Sequence, residues 1–501
     1  MRASSTLGVL GALLFSVTVS PLAAQRPVLD TLPQGTTLSL DDALRLALPA
    51  SEAVAIAHQA VERAQGDVKR ARSEFFPQIN GTASYTRTLK SQFSRAGGSK
   101  SDSTATTSCD RFTGDPTQSI TTRLDSLESA LNCVTGLDPF AAFGSLPFGQ
   151  KNQYRLGLDA SQILFAGGRI RAQTRAAQAS QRSAEIGLSA QEAQLTLDVT
   201  QAYYDAALSD RLLLIARGTL MLADSTYEQT RLAKQVGAQP EFDVLRAQVS
   251  RDNQRTAVIQ RESDREIAFL RLKQLLNLPL AQPLVLSTPV DDSILPVVPA
   301  LDSVVSRTID TATTSRAPVR QAEASAEEQE QRLRVARAER YPAVTLSSSF
   351  ARLGYPSDVL PSWSDFVTDW TVGLTVKVPL FTGGRIGGSV KSASATAEDS
   401  RIRLRQARER AALDTRTALE RLRAATAGWA ATQGTVTQAE RAYSIAEIRF
   451  REGISTQTEL ADSRVALEQA RANRAIAGRD LQTARVRVAL LPELPLAQGT
   501  Q

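Results

Sequence analysis

The chain has very few of the residues on which metal centres and acid–base catalysis usually depend. Its 501 residues include one histidine, two cysteines and two methionines. The histidine, His58, lies in a run that favours a helix, so zinc sites and histidine-dependent catalysis are excluded. The 52 carboxylates lie mostly in amphipathic helical runs, where no pair stands out as a general acid and base. We therefore expect no enzyme activity, no cofactor and no bound metal.

Long apolar runs are equally scarce. The first one, Leu7–Val19, follows Arg2 and precedes the small residues Ala23 and Ala24. That order is typical of a secretory signal peptide, which we predict over residues 1–24. No later run approaches the ~20 apolar residues of a transmembrane helix. If the exported chain enters a membrane, it must therefore do so as a closed β-barrel.

The two cysteines, Cys109 and Cys133, lie in a segment rich in Ser, Thr, Gly and Asp. Because an exported chain meets an oxidising compartment, we expect a disulfide between them, with two free thiols as the alternative.

The formal net charge of +6 does not point to nucleic acid, since arginines alternate with acidic residues in helical runs such as 401–423. This pattern is typical of a solvated helix face.

The chain contains an internal duplication. Residues 71–77, Ala-Arg-Ser-Glu-Phe-Phe-Pro, match residues 336–342, Ala-Arg-Ala-Glu-Arg-Tyr-Pro, at an offset of 265. Residues 164–170, Leu-Phe-Ala-Gly-Gly-Arg-Ile, match residues 380–386, Leu-Phe-Thr-Gly-Gly-Arg-Ile, at an offset of 216. The first copy therefore carries about 49 extra residues between its two matching segments, which we interpret as an exposed polar loop.

The duplication divides the mature chain. The predicted parts are repeat 1 over residues 25–286, with its long loop at about 87–152, a proline-rich linker at 287–300, repeat 2 over 301–491 and a tail at 492–501.

Each repeat contains a long stretch without proline. We predict continuous helices from about Arg169 to Gln235 and from Arg385 to Arg451, because Ala, Leu, Gln, Arg and Glu dominate both. At ~1.5 Å per residue each helix would be ~100 Å long, which implies a coiled coil or a helical wall. Gly237 and Gly453 are expected to end these helices and start the turns into the return helices.

Four short segments alternate between apolar and polar residues, as half-exposed strands do. Each is about as long as a tilted membrane-spanning strand, ~9–11 residues. Their apolar sets are Ile79, Ala83 and Tyr85; Tyr154, Leu156, Leu158 and Leu164; Val344, Leu346 and Phe350; and Trp370, Val372, Leu374, Val376 and Val378. Four strands cannot close a barrel, two chains would give a plugged barrel of 8, and three chains would give 12 strands around a lumen. The fold class predicted is thus α plus transmembrane β, with a trimeric β-barrel and with long helices that form a coiled coil or a helical wall.

With these features in place, the chain resembles the TolC-like outer membrane factors. The resemblance lies in the order and spacing of the strand segments, the Leu-Phe-x-Gly-Gly-Arg sequence before each long helix, and the glycine turn at its far end. It implies a homotrimer with a 12-stranded barrel in the lipid bilayer of a Gram-negative outer membrane and a 12-helix tunnel in the periplasm. It also implies a periplasmic adaptor (membrane fusion protein) and an inner-membrane transporter of the RND, ABC or MFS type as partners.

Acidic residues after the glycine turns are the candidate site. Glu459 and Asp462 are three residues apart, hence on one helix face, and a trimer would bring three copies of each around one axis. In the family, acidic residues at these positions form the periplasmic aperture. The alternative is a capping box in which Thr456 caps the helix and Glu459 bonds back to it. Asp243 is the equivalent residue in repeat 1.

The family also implies a latch between Asp243 and a tyrosine and an arginine. Here those two positions are Phe450 and Ser455, and a phenylalanine has no hydroxyl group with which to reach Asp243. The turns themselves correspond to the tips by which the family contacts its adaptor, which are Val236, Gly237 and Ala238 in repeat 1 and Gly453, Ile454 and Ser455 in repeat 2.

Two functions remain open from the sequence. The first is a passive duct of a tripartite efflux or type I secretion system. The second is a periplasmic coiled-coil scaffold or adaptor that never inserts into the membrane. The alternating strand segments favour the duct.

Overall fold

The structure is a computed structural model that describes residues 37–89, 114–136, 151–288, 315–356 and 359–496. The predicted signal peptide, most of the linker and Cys109 lie outside the described residues, and so does the side chain of Cys133. The signal peptide and the disulfide therefore stay predictions.

Helices account for most of the described chain. In chain order they are α1 (Leu40–Ala50), α2 (Glu52–Ser73), α3 (Ile120–Gly136), α4 (Arg169–Gln235), α5 (Glu241–Leu275), α6 (Ala317–Ala338), α7 (Arg385–Arg451) and α8 (Gln457–Leu490). The strands are β1 (Thr37–Leu38), β2 (Gln78–Arg87), β3 (Asn152–Phe165), β4 (Val285–Leu286), β5 (Ala343–Gly354) and β6 (Phe366–Lys377). Within the described residues, no helix is both long enough and apolar enough to span a membrane.

The two long helices, α4 and α7, each contain 67 residues and have the bounds that the duplication predicts. Each is therefore ~100 Å long. Both begin after a pair of glycines with positive φ, at Gly167–Gly168 and at Gly383–Gly384. This left-handed conformation reverses the chain from strand to helix at little cost only where no β-carbon is present.

Four strands form one antiparallel sheet in the order β2-β3-β5-β6. Each neighbouring pair is in continuous register, for example Leu158 opposite Phe350 and Leu346 opposite Leu374, with one irregularity near the end of β3. Strands β2 and β6 are the two edges. Among the described residues, one ladder of backbone groups is therefore unpaired on each side of the sheet.

The two faces of this sheet differ in polarity. The registers bring Leu156, Leu158, Phe350, Trp370, Val372, Leu374 and Val376 to one face, where Phe350 and Trp370 meet edge to face. They bring Asn80, Thr82, Asp159, Ser347, Ser349, Thr371 and Thr375 to the other. On β6 the apolar residues Val372, Leu374 and Val376 are 67%, 62% and 56% exposed. The apolar face therefore has no cover within the described chain.

Of the aromatic residues on this face, two lie near strand ends and two lie further inside. Tyr85 and Tyr154 lie opposite each other close to the ends of their strands, with ring centroids 4.7 Å apart. Phe350 and Trp370 instead lie four residues inside the ends of β5 and β6.

The segment predicted as a long loop contains a helix, α3. Its apolar residues recur at spacings of four, three and four and are exposed; they are Ile120, Leu124, Leu127 and Leu131.

The chain divides into two compact units. One consists of residues 60–185 and 321–406 and contains the four-stranded sheet; the other consists of residues 1–59, 186–320 and 407–501. In the second unit, Leu38, Tyr203, Leu272 and Leu276 lie in the largest apolar cluster. The Tyr203 hydroxyl donates to the Leu38 carbonyl at 2.9 Å and accepts from the Thr288 N–H at 3.0 Å, so the buried phenol has both partners.

Candidate functional site

The two turns after the long helices are built alike. At the first, the Ala238 N–H donates to the Ala233 carbonyl at 2.8 Å and the Gly237 N–H to the Lys234 carbonyl at 3.0 Å. At the second, Ile454 donates to Arg449 at 2.9 Å and Gly453 to Phe450 at 3.1 Å. These are Schellman bonds, and the glycines have φ of 75° and 69°. Substituting either glycine would strain the backbone and loosen the turn.

The tips carry exposed apolar side chains at their ends. Val236 is 81% exposed and Ile454 is 69% exposed. Beyond the first tip, Phe242, Leu245 and Val249 follow on α5 at spacings of three and four, hence on one helix face, and all three are exposed. An apolar strip in water of this kind is typical of a protein-binding surface.

The acidic candidates lie just beyond the second tip. Thr456 caps α8, since its hydroxyl accepts from the Glu459 N–H at 3.3 Å. The Glu459 carboxylate accepts a hydrogen bond from the Ser455 hydroxyl, and the side chain is exposed. Asp462 is also exposed, on the same helix face one turn later. The capping bond from the Glu459 N–H to the Thr456 hydroxyl is therefore present. The carboxylates of Glu459 and Asp462 both stay accessible to solvent.

Asp243 lies in the first turn of α5 and is partly exposed. Phe450 packs on an apolar cluster of Tyr443, Leu460 and Leu467, and Ser455 bonds to Glu459, as described above. The two positions of the family latch are thus used for packing and hydrogen bonding within the second helical hairpin, which consists of α7, its turn and α8.

Two helical hairpins carry the site, α4 with α5 and α7 with α8. They are joined by two arginines that the sequence did not single out. Arg246 on α5 donates to the Thr458 hydroxyl of α8 at 2.6 Å. Arg464, which is only 5% exposed, donates to the Ser250 hydroxyl at 2.6 Å. Both bonds fix the start of α8, and with it Glu459, against α5.

Burial shifts the pKa values of Arg464 and of the neighbouring Tyr443. Burial lowers the pKa of Arg464, and the nearby Tyr443 and Glu468 act in the opposite direction. Burial also raises the pKa of Tyr443. A hydrophobic period of three to four residues in α8 passes through position 464, which was the one signal in the sequence that this arginine is buried.

In the part of the chain that the structure describes, no cluster of His, Cys, Asp and Glu could hold a metal ion.

A family model described as outer membrane efflux protein matches residues 144–278 and 308–491. The chain is also similar to the nodulation protein T of Rhizobium leguminosarum bv. viciae, at 25% identity over 242 residues. That match covers 48% of each protein, so the chain spans about half the length of this curated relative.

Solved structures match over more of the chain. The outer membrane protein VceC of Vibrio cholerae aligns with a TM-score of 0.68 at 18% identity, over 90% of this chain and 96% of that one. The open state of the MtrE outer membrane channel of Neisseria gonorrhoeae aligns with a TM-score of 0.68 at 18% identity, over 92% and 90%. The CmeC outer membrane channel of Campylobacter jejuni aligns with a TM-score of 0.68 at 16% identity, over 92% and 87%. At these identities the similarity is one of fold.

Proposed function

This chain belongs to the outer membrane efflux protein family, and we propose that three copies of it form a passive exit duct. In the proposal, the sheets of three chains close a 12-stranded barrel in the outer membrane and the helices line a periplasmic tunnel. Substrates enter from an inner-membrane pump through a periplasmic adaptor, as in a tripartite efflux or type I secretion system.

The observation that carries this proposal is the uncovered apolar face of the four-stranded sheet. Each side chain from Val372 to Val376 on that face is more than half exposed, whereas the opposite face carries Thr, Ser, Asn and Asp. In water such a face would be a large aggregation-prone patch, but in a bilayer it is stable. Because lipid cannot satisfy the unpaired edges β2 and β6, the sheet must also be closed by other copies.

Two features of the helical turns also favour a duct, one in the acidic residues and one in the exposed tips. Exposed carboxylates at Glu459 and Asp462 would form a ring of up to six acidic groups in a trimer, and such a ring favours cations. The exposed Val236 and Ile454 support a contact with the adaptor at the tips.

The test is to purify the full chain from outer membranes and measure both its assembly and its conductance. The proposal expects a heat-labile trimer that conducts ions in planar bilayers without added energy. A chain that stays in the soluble periplasmic fraction, or a membrane-extracted trimer that does not conduct, would contradict it. The soluble outcome would favour a periplasmic scaffold instead.

A further inference from the structure

Helix α3 lies in the segment between β2 and β3, and its start is fixed by hydrogen bonds of its own chain. The Ser119 hydroxyl caps the helix, since it accepts from the Thr122 N–H at 3.3 Å. Just before the cap, the Asp115 carboxylate accepts from the N–H and the hydroxyl of Thr117, at 2.9 and 2.7 Å. The helix therefore begins at a defined residue, Ile120, and not at a frayed end.

The exposed apolar residues of α3 follow a seven-residue repeat, and we call them the α3 seam. Ile120 and Leu127 are seven residues apart, and so are Leu124 and Leu131. The four therefore occupy heptad positions d, a, d and a, and their exposed fractions run from 45% at Leu127 to 75% at Ile120.

The α3 seam is narrow. Between Ile120 and Leu131, every other position of the helix is polar or small. An apolar stripe confined to a and d is the pattern of a coiled coil, whereas a helix that packs on a globular core usually has a wider apolar face. The positions outside the seam are Thr121, Thr122, Arg123, Asp125, Ser126, Glu128, Ser129 and Ala130.

The charges beside the seam select the partner and its direction. Arg123 is at position g and Glu128 is at position e of the next heptad, and both are exposed. In a parallel coiled coil, a residue at g faces the residue at e five positions further along the neighbouring helix, so Arg123 faces Glu128. In an antiparallel pair, Arg123 would face Arg123 and Glu128 would face Glu128. The charge pattern therefore favours parallel copies of the same helix.

The residue types in the seam favour more than two helices. Leucine at a, as at Leu124 and Leu131, with isoleucine at d, as at Ile120, shifts coiled coils from two strands to three or four. Three parallel helices around one axis have the symmetry that three copies of the chain in a ring would supply.

A lipid surface is the other partner to be weighed for an amphipathic helix. Helices that lie on membranes carry Lys and Arg on the polar face, which attract anionic lipids. The charged residues of α3 are one arginine and two acids, namely Arg123, Asp125 and Glu128. This charge balance is unfavourable for an anionic surface but complementary to a second copy of α3.

We propose that α3 packs against α3 of two other copies of this chain in a parallel three-stranded coiled coil. The α3 seam forms its core, and Arg123 of each helix pairs with Glu128 of the next. This inference rests on the proposed trimer, to which it adds a contact in the segment between β2 and β3.

The chain is long enough for the three helices to meet. A barrel of 12 strands that are ~4.8 Å apart and tilted by ~40° has a radius of ~12 Å. The shorter of the two connections to α3, residues 137–151, can span up to ~50 Å, which exceeds the distance from a strand to the barrel axis.

The ring also compensates for the shortness of the helix. About two heptads are too few to hold three separate peptides together in water. Attachment to one ring raises the effective concentration of each helix into roughly the millimolar range, so the coiled coil forms as an intramolecular contact of the trimer.

The test is crosslinking within the native trimer. In the full chain with Cys109→Ser and Cys133→Ser, Leu127→Cys puts a thiol in the seam, and a short bis-maleimide is added to isolated outer membranes. Because each chain then carries one thiol and each linker joins two, we expect a two-chain band beside a one-chain band on denaturing gels. Ser129→Cys, at the outward position f, is the matched control and should give the one-chain band alone.

Charge reversal tests the direction of the helices. In the Leu127→Cys chain, Arg123→Glu alone and Glu128→Arg alone should each reduce the two-chain band, because like charges then face each other. Both changes together should restore it, since the pair is re-formed with its signs exchanged. The double change leaves the net charge of α3 as it was, so attraction to a lipid surface cannot account for the recovery. A double variant that links as poorly as the single ones would refute the parallel arrangement.

The outcomes separate this inference from the proposed function. Each variant is first run on a native gel, and a chain that is a monomer there would refute both. A conducting trimer in which positions 127 and 129 link equally, or in which neither links, would refute the coiled coil and leave the duct intact. In that last case, protection of Leu127→Cys from a water-soluble maleimide would mean that lipid or the same chain covers the seam.

Discussion

Gly167 and Tyr341 approach so closely that only a hydrogen atom fits where the β-carbon of another residue would be. The adjacent Gly168 has the same left-handed backbone, with φ of 81°, but open space at its β-carbon position. One turn therefore contains a glycine required both for its φ and for its packing, next to a glycine required for φ alone.

This pair predicts a difference between two alanine variants. Gly168→Ala should lose only the ~1–2 kcal/mol of left-handed strain. Gly167→Ala should lose a further ~1–3 kcal/mol per chain because Tyr341 must move. Thermal melting of the detergent-solubilised protein, followed by helical circular dichroism, measures the two. Equal melting temperatures would show that the Gly167–Tyr341 contact is loose.

The sheet predicts that the two faces respond differently to charge. Leu374→Arg puts a cation on the apolar face at a cost of up to ~2–4 kcal/mol at the bilayer midplane. Thr375→Arg, one residue further on the same strand, puts it on the polar face. We expect the first variant to accumulate less in the outer membrane and the second to insert normally with altered ion selectivity. Normal insertion of both would argue against contact between the apolar face and lipid.

The aperture assignment predicts a change in cation block. Glu459→Gln with Asp462→Asn should weaken the block of single-channel conductance by divalent and trivalent cations applied from the periplasmic side, because the acidic ring is neutralised. Asp252→Asn removes an exposed carboxylate from α5 and should leave the block unchanged. If the double variant blocks like the parent channel, the ring lies elsewhere.

A buried arginine predicts a large loss of stability. Arg316 is fully buried and donates to Asp414 at 2.8 Å and to the carbonyls of Leu491 and Ala411 at 3.1 and 3.2 Å. Arg316→Met should destabilise the chain by ~3–5 kcal/mol, because Asp414 and the carbonyls lose a partner in a buried site.

Arg320→Met is the matched control for this prediction. Arg320 lies four residues further along and pairs with Glu493 at 2.7 Å, but both side chains are about 40% exposed. We expect a loss of only ~0–1 kcal/mol, as for other exposed ion pairs. Denaturant unfolding of both variants gives the comparison, and similar losses would mean that the Arg316 site is open to water.

The contact between Arg464 and Ser250 predicts local rather than global effects. Arg464→Ala should leave the Ser250 hydroxyl without its donor and cost ~1–3 kcal/mol. Hydrogen exchange should then speed up in the amides of the second tip and of the first turns of α8. Tyr443→Phe keeps the aromatic ring in the apolar cluster and should exchange like the parent. An unchanged exchange rate in the Arg464 variant would show that the tip is held by other contacts.

Much of the fold follows from repeated local patterns. The bounds of α4 and α7 were predictable because proline-free runs and terminal glycines decide a long helix locally. The strand segments were predictable because alternation has a period of two wherever one face of a strand is apolar. Helix α3 was missed because the polar composition of its surroundings concealed four apolar residues at spacings of four, three and four.

The site was predictable only in part. The sequence indicated Glu459 and Asp462 from their spacing, but the bond from Ser455 to Glu459 depends on how the turn folds back on α8. The two positions of the expected latch could be read as Phe450 and Ser455, yet only the fold shows that Phe450 lies against Tyr443 and Leu460.

The sequence by itself determined the duplication, the period of each element and the positions of the turns, because these depend on residues close together in the chain. Only the tertiary structure decided which strands pair and in which register, and that Gly167 meets Tyr341 while Gly383 meets nothing. The pairing of β3 with β5 and the contact between Gly167 and Tyr341 join residues more than 150 positions apart, and they are selected by packing and backbone hydrogen bonding across the sheet rather than by any local preference.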